Sequence, residues 1–312
     1  MRALAERFEG CLLGLAIGDA LGGRFEAQSA SAICDRFPTV EHLIAYPTDE
    51  LTYTDDTQMA IGVAEALIDR GEIVEESLCR AFVANYVPSR GYGRGARAVL
   101  DAMEVGQDYR TVADTHFPGG SYGNGAAMRV APVGLCFHSD RTQLFDQARK
   151  SALPTHHHPL GIEGAQLIAL AVALAVRADR FDRDAFFREL VASCSSEEFR
   201  TKLELAQRVR SHRELTNLGN GIEALESVPT AIASFATAPD SYEETIGQVI
   251  RLGGDTDTLA AMAGAISGAY LGVGRLPKHL IERLETSLKG REYIRKLATD
   301  LHGRFGREST GC

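Results

Sequence analysis

The stretch TDTLAAMAGAISGAYL, Thr256–Leu271, decides the fold class. Its apolar residues recur at three- and four-residue spacing, which is the periodicity of an α-helix rather than of a strand. Its many alanines and glycines give such a helix small faces, which allow a neighbouring helix to approach closely. The stretch therefore predicts a buried helix within a tightly packed helical protein.

Helical periodicity continues on both sides of this stretch, and no alternating strand pattern of comparable length competes with it. The other helical segments are Phe8–Leu21, Thr57–Ile68, Glu75–Tyr86, Ala126–Phe137, Ile162–Val176 and Glu223–Ala236. We therefore predict an all-α orthogonal multi-helix bundle. Because no linker interrupts the 312 residues, residues 1–302 are interpreted as one domain and residues 303–312 as a flexible tail.

Composition and charge narrow the classes of function. With 45% hydrophobic and 24% charged residues, the chain is typical of a soluble globular protein. Its net charge of −9 argues against a nucleic acid as the main partner, because phosphate backbones need a basic surface. An anionic ligand would instead depend on a metal ion or on backbone N–H groups at helix starts.

Cysteines and apolar runs point to the cytoplasm. The six cysteines contain no C-x-x-C pair, so neither a zinc site nor a disulfide framework is indicated. The longest apolar run, 164–176, falls short of the ~20 residues that span a bilayer and is read as a core helix. Acidic residues around the first apolar run, Glu6, Glu9 and Asp19, disfavour a signal peptide. We expect a cytoplasmic monomer with no membrane partner.

Two acidic clusters precede predicted helices. They are Thr54-Asp55-Asp56 and, within Gly253–Thr258, Asp255-Thr256-Asp257-Thr258. Either cluster alone is explained by helix capping, which needs only one oxygen acceptor. Together they supply four carboxylates, whose mutual repulsion would be costly without a cation among them. The all-oxygen set favours Mg²⁺ or Mn²⁺ over Zn²⁺, provided that the two helix starts meet in space.

Two further segments are ambiguous. Gly119–Gly125, GGSYGNG, precedes a helix predicted to begin near Ala126, so its N–H groups could hold a diphosphate. A tight loop that needs positive backbone angles explains the glycines equally well, and Tyr122 could stack on a base or simply pack on the surface. The run from His156 to His158 is read by default as a solvated turn, since adjacent side chains diverge.

Taken together, several segments resemble the ADP-ribosylglycohydrolase family in the order of their occurrence. They are GCLLGLAIGDALGGRFEA (10–27), YTDDTQMA (53–60), RGYGRG (90–95), GSYGNGAAMRVAPVGL (120–135) and RLGGDTDTLAAMAGAISGAYLG (251–272). With NLGNGIEALESVPTAI (217–232), the pattern is most similar to the type three, serine-directed ADP-ribosylhydrolases. The resemblance implies two Mg²⁺ ions below a cleft that binds ADP-ribose.

The resemblance also implies roles for single residues. Thr54, Asp55 and Asp56 match the ligands of one metal, Asp255 and Thr258 those of the other, and Asp257 the bridging carboxylate. Glu26 matches a mobile-loop glutamate that touches the second metal and activates water or protonates the leaving group. Glu26, Asp55 and Asp257 are thus the implied catalytic residues.

Substrate contacts follow from the same resemblance. The implied contacts with ADP-ribose, besides Asp55, are Gly120, Ser121, Tyr122, Gly123, Asn124, Gly125, His156, Ile222 and Phe117. The segment from Phe117 to Ser121 is one residue shorter than in vertebrate family members, and Gly119 stands where they have a lysine. The implied reaction releases ADP-ribose from a protein acceptor, with poly-ADP-ribose and O-acetyl-ADP-ribose as further substrates. Removal from arginine, or binding without catalysis, are the alternatives.

Overall fold

The computed structural model describes residues 3–46 and 49–306. Its α-helices are α1 (Leu4–Gly22), α2 (Ala30–Arg36), α3 (Val40–Ala45), α4 (Asp55–Arg70), α5 (Glu75–Asn85), α6 (Arg94–Glu104), α7 (Tyr109–His116), α8 (Ala131–Cys136), α9 (Arg141–Ala152), α10 (Pro159–Arg177), α11 (Arg183–Ala192), α12 (Glu197–Arg208), α13 (His212–Leu215), α14 (Ala224–Thr237), α15 (Tyr242–Ile250), α16 (Thr256–Leu271), α17 (Lys278–Arg283) and α18 (Arg291–Phe305). Within these described ranges, strand-like pairing is limited to isolated bridges. The prediction of an all-α fold is confirmed.

Helices α1 and α16 form the centre of the molecule and run antiparallel. Four glycines of α1 face the backbone of α16, and we call this contact the glycine seam. A Cβ atom would lie 2.5 Å from the Gly268 oxygen at Gly10, 2.4 Å from the Gly264 oxygen at Gly14, 2.1 Å from the Ala260 oxygen at Gly18 and 2.3 Å from the Thr256 oxygen at Gly22. The seam therefore places the end of α1 beside the start of α16.

Helix α10 lies inside the bundle, packed on α8, α9, α14 and α16. It is long and apolar enough to cross a membrane, yet most of it is buried in the fold. The interpretation of residues 164–176 as a core helix is thus confirmed. The five cysteines in the described part of the chain are free, as expected, and Cys312 lies outside it.

The segment after the glycine-rich loop departs from the prediction. A helix was expected from near Ala126, but residues 125–129 form turns and α8 begins only at Ala131. The cause is Pro132, which has no N–H to donate to the Met128 carbonyl and so interrupts a continuous helix. The glycine-rich loop therefore does not lead directly into a helix N-terminus.

At the C-terminal end, α18 continues to Phe305. Residues 303–305 of the predicted tail are thus helical. Residues 307–312 lie outside the described part of the chain, and the flexibility expected there stays a prediction.

Candidate functional site

Three chain segments meet at one end of the glycine seam. The loop after α1 carries Glu26, the start of α4 carries the first acidic cluster, and the start of α16 carries the second. Carboxylate oxygens of Glu26, Asp255 and Asp257 lie within 4.8 Å of one another. Across the two helix starts, the Thr258 hydroxyl donates to Asp56 Oδ1 at 3.3 Å. The two acidic clusters therefore meet in space, as a shared metal site requires.

A buried carboxylate that sequence reasoning left without a role holds the start of α4 in position. Asp19, on α1, is fully buried and accepts hydrogen bonds from the backbone N–H groups of Thr54 and Thr57, each at 2.9 Å. The Thr57 hydroxyl also donates to it. The sequence contains an indication of this role, because Asp19 in GDALGG (18–23) is a charged residue within a segment of apolar and small residues.

Burial raises the pKa of every carboxyl group in the cluster. Desolvation raises the pKa of Asp55 to about 7, with the Asp19 charge as the next cause. Desolvation, then mutual repulsion, holds the pKa of Asp56 and of Asp257 well above the ordinary range. Asp56 Oδ2 is buried and has no hydrogen-bond partner in the described part of the chain. Clustered buried carboxylates with an unpartnered oxygen fit a hard divalent cation, which would neutralise them.

Neighbouring loops fix the second acidic cluster. The Asn124 amide donates to Asp255 Oδ2 at 2.6 Å, so this predicted substrate contact also orients a candidate metal ligand. Asn220 was missed from sequence. Its side-chain amide donates to the carbonyls of Leu252 and Gly253. Its backbone carbonyl accepts from the Asp255 N–H at 3.0 Å.

The Glu26 loop is tied to the loop before α16. The Ala27 N–H donates to the Gly254 carbonyl at 2.9 Å, and the Gly254 N–H donates to the Gln28 carbonyl at 3.1 Å. Ala27 has a φ of 62°, a left-handed conformation that is costly for a residue with a Cβ. Glu26 is thus held close to Asp255 and Asp257 by a strained turn.

The RGYGRG segment borders the same site. The Arg90 guanidinium pairs with both carboxylate oxygens of Glu285 at 2.7 Å and donates to the Tyr53 carbonyl at 2.6 Å. A Cβ on Gly91 would lie 3.7 Å from Asp55 Oδ1. The bidentate pair therefore fixes this loop beside the start of α4.

A cleft of about 350 Å³ opens above the acidic cluster. Among the residues predicted to contact substrate, the cleft is lined by Asp55, Phe117, Ser121, Gly123, Asn124, Gly125, His156 and Ile222. Gly120 and Tyr122 are not among the lining residues. The Tyr122 side chain is exposed, and its ring packs edge-on against His158, 5.6 Å between centroids. Thr54 is likewise outside the lining, at the α4 N-cap.

The histidine run is not a solvated turn at its first residue. His156 is 7% exposed, and burial, followed by the charge of Arg129, lowers its pKa to about 3. It is therefore neutral at physiological pH. The default interpretation from sequence was wrong for His156, because its burial depends on the distant residues Gly123 and Gly125, against which the ring lies.

Comparisons with known proteins agree with this geometry. The profile of the ADP-ribosylglycohydrolase family matches residues 1–310. The protein belongs to this family. As a member, it is a hydrolase of ADP-ribose linkages.

Individual relatives cover nearly the whole chain. It is 36% identical to ADP-ribosylhydrolase ARH3 of Homo sapiens, over 96% of this chain and 93% of that protein. It is 31% identical to an uncharacterised protein of Archaeoglobus fulgidus, over 96% of this chain and 97% of that one. A solved structure, an ADP-ribosylglycohydrolase-related protein complex, matches with a TM-score of 0.76 over 97% of this chain and 99% of that chain. At 24% identity this last match shows the fold alone.

Proposed function

We propose that this protein is a Mg²⁺-dependent hydrolase that cleaves the glycosidic bond between ADP-ribose and a serine oxygen of a protein acceptor. The observation that carries the proposal is the convergence of Glu26, Asp55, Asp56, Asp255 and Asp257 at the floor of one cleft. Ser121, residues 123–125 and His156 also line this cleft, where they present backbone and a neutral imidazole to a ligand.

Two ions fit the donor set. Thr54, Asp55 and Asp56 would hold one ion, Asp255 and Thr258 the other, and Asp257 would be shared; Mn²⁺ would substitute for Mg²⁺, because all the donors are hard oxygens. When bound, such ions polarise ribose hydroxyls and stabilise the charge that develops as a glycosidic bond breaks.

Glu26 is proposed to act as the general acid and then as the general base of the reaction. It is partly exposed to the cleft, and desolvation followed by the charges of Asp255 and Asp19 raises its pKa. A carboxyl group with a raised pKa can protonate the departing serine oxygen and then, as carboxylate, take a proton from the water that attacks C1 of the ribose. The backbone hydrogen bonds that Ala27 and Gln28 form with Gly254 keep the Glu26 carboxyl close to Asp255 and Asp257.

Serine specificity rests on the type three pattern. The GSYGNG-x-AMRV and NLGNGIEALESVPTAI segments and the identity to ADP-ribosylhydrolase ARH3 support it. Poly-ADP-ribose and O-acetyl-ADP-ribose are included as substrates, and a cytoplasmic monomer remains part of the proposal. Peptides ADP-ribosylated on serine or on arginine, assayed with Mg²⁺ and with EDTA, test it. Release from the arginyl peptide alone would select the arginine-directed alternative, and binding of ADP-ribose without any release would select the non-catalytic one.

The matched variants Asp257→Asn and Asp140→Asn separate metal binding from helix capping. Both residues lie at helix starts, and Asp140 caps α9 through the Gln143 N–H at 3.0 Å, far from the cleft. Because Asp257→Asn removes one of several mutually repelling carboxylates, the metal-free variant should be as stable as the wild type. It should also bind Mg²⁺ weakly and hydrolyse the seryl peptide near background, whereas Asp140→Asn should keep wild-type turnover.

Calorimetric titration with Mg²⁺, thermal melts and peptide hydrolysis measure these effects. Near-normal hydrolysis by Asp257→Asn, together with a lowered melting temperature in the absence of metal, would reduce Asp257 to a helix cap.

A further inference from the structure

Arg129 is a buried cation without a carboxylate partner. Its side chain is 1% exposed, and no ion pair to it occurs among the described residues. It donates instead to the carbonyls of Gly125 at 3.1 Å and Ser151 at 2.9 Å and to the Thr155 hydroxyl at 2.8 Å. Although burial lowers its pKa to about 10, the group stays charged near neutral pH. The positive charge therefore sits in the wall of the cleft, which Arg129 lines.

The Thr155 hydroxyl connects this cation to the histidine of the cleft. Its oxygen lies 2.7 Å from His156 Nδ1 as well as 2.8 Å from the guanidinium. A guanidinium only donates, so the Thr155 hydroxyl accepts from Arg129. The hydroxyl hydrogen has no other acceptor among the described residues, so it is donated to Nδ1. Nδ1 is then an acceptor, so the proton of the neutral ring resides on Nε2.

The Nε2 edge of His156 faces the glycine-rich loop. A Cβ on Gly125 would lie 3.3 Å from Nε2, and one on Gly123 would lie 3.7 Å from it. A side chain at position 125 would crowd this edge, with its Cβ 2.9 Å from Cε1, whereas the distance at position 123 is an ordinary contact. An N–H bond at Nε2 therefore points toward the space above residues 123–125, which is part of the cleft.

We infer that Arg129, acting through the Thr155 hydroxyl, fixes His156 as the Nε2–H tautomer and so presents a hydrogen-bond donor to a phosphate oxygen of the bound substrate. Arg129 and Thr155 are positioning residues, and His156 makes the contact. A phosphate is favoured over a neutral acceptor because the nearby buried guanidinium forms no ion pair within residues 3–46 and 49–306, and its Nε has no hydrogen-bond partner there. The identity of the ligand rests on the proposed function, whereas the tautomer does not.

Nitrogen-15 NMR of histidine-labelled full-length protein tests the tautomer directly. The His156 signals are assigned by their absence in His156→Gln, and spectra are recorded without ligand. The wild type and Thr155→Ser should show the neutral Nε2–H pattern, because both keep a hydroxyl. Thr155→Val should lose this fixed preference. A wild-type ring protonated on Nδ1, or a mixture that Thr155→Val leaves unchanged, overturns the inference.

Titration with ADP-ribose tests the consequence for binding. Thr155→Val should weaken ADP-ribose binding roughly 10-fold, the effect of one misdirected hydrogen bond, and Thr155→Ser should restore it. Mg²⁺ affinity should not change in either variant, since Thr155 does not lie among the carboxylates. If Thr155→Ser and Thr155→Val weaken ADP-ribose binding equally, the positioning of His156 by Arg129 and Thr155 is overturned, and Thr155 has a packing role. If the wild type fails to bind ADP-ribose while His156 is the Nε2–H tautomer, the proposed function fails, but the assignment of the tautomer to Arg129 and Thr155 holds.

Discussion

Replacing Gly18 by alanine tests the glycine seam. The new Cβ would lie 2.1 Å from the Ala260 carbonyl oxygen, whereas real Cβ contacts essentially never fall below 3.0 Å. The two helices must separate locally by about 0.9 Å, the difference between these two distances. Because the opposing atom belongs to the backbone of α16, it cannot rotate away as a side chain would.

The cost follows from this separation. Overpacking typically destabilises by about 1–3 kcal/mol, and a rigid backbone neighbour places Gly18→Ala at or above the upper end. The higher helix propensity of alanine offsets about 1 kcal/mol of this destabilisation. The free energy of unfolding should therefore fall by about 2 kcal/mol or more, which lowers the melting temperature of a 312-residue chain by roughly 3 °C or more.

Gly303→Ala provides the matched control. Gly303 lies in α18, is exposed, and has no atom within 4 Å of an added Cβ. The same substitution should there raise stability by up to about 1 kcal/mol, since only the propensity term remains. Thermal melts followed by circular dichroism compare the two variants. If Gly18→Ala melts at or above Gly303→Ala, the close approach of α1 to α16 is not as described.

Three further outcomes are expected. Exhaustive EDTA treatment should abolish peptide hydrolysis while the helical circular dichroism persists, because the donor set takes a divalent cation but the core is apolar; full activity after chelation would contradict the metal assignment. Glu26→Gln should lower kcat by roughly 10²–10⁴-fold and leave ADP-ribose binding intact, as measured by turnover and titration; an unchanged kcat would remove Glu26 from the reaction. The metal-free protein should lose stability as pH rises from 3.8 to about 7, since folding raises the pKa of Asp55 and the folded state then binds more protons than the unfolded chain; melts that improve over this interval without metal would refute it.

Apolar periodicity located the long helices of the core, but it missed α9, α12 and α18, which are 12–15 residues long and largely polar. Helix α16 has the bounds that its sequence pattern predicts, and α4 and α10 extend only a few residues beyond theirs. Short helices escaped, as with Tyr109–His116, because fewer than three turns give too little repetition to distinguish a helix from a loop. Pro132 shortened α8 for a reason that the sequence did contain.

The candidate site was also only partly predictable from local sequence. Residue types identified the two acidic clusters, but only tertiary packing brings Asp56 next to Thr258. The same holds for Asp19, whose carboxylate acquires its role by burial against the start of α4. The histidine run illustrates the limit of local reasoning, because His156 is buried by chain segments more than 30 residues before it.

The small residues of the glycine seam do not by themselves fix the position of α1 along α16. Glycines four residues apart face a helix whose opposing residues, Ala260, Gly264 and Gly268, are also small and four apart. Sliding α1 by four residues, about 6 Å, would therefore bring small residues opposite one another again. Contacts at the end of the seam must select one alignment: the Ala27 and Gly254 backbone pair, and the Thr256 hydroxyl, which donates to the Gly22 carbonyl at 2.8 Å. The turn that carries Glu26 thus also acts as the stop that sets how far the two central helices overlap.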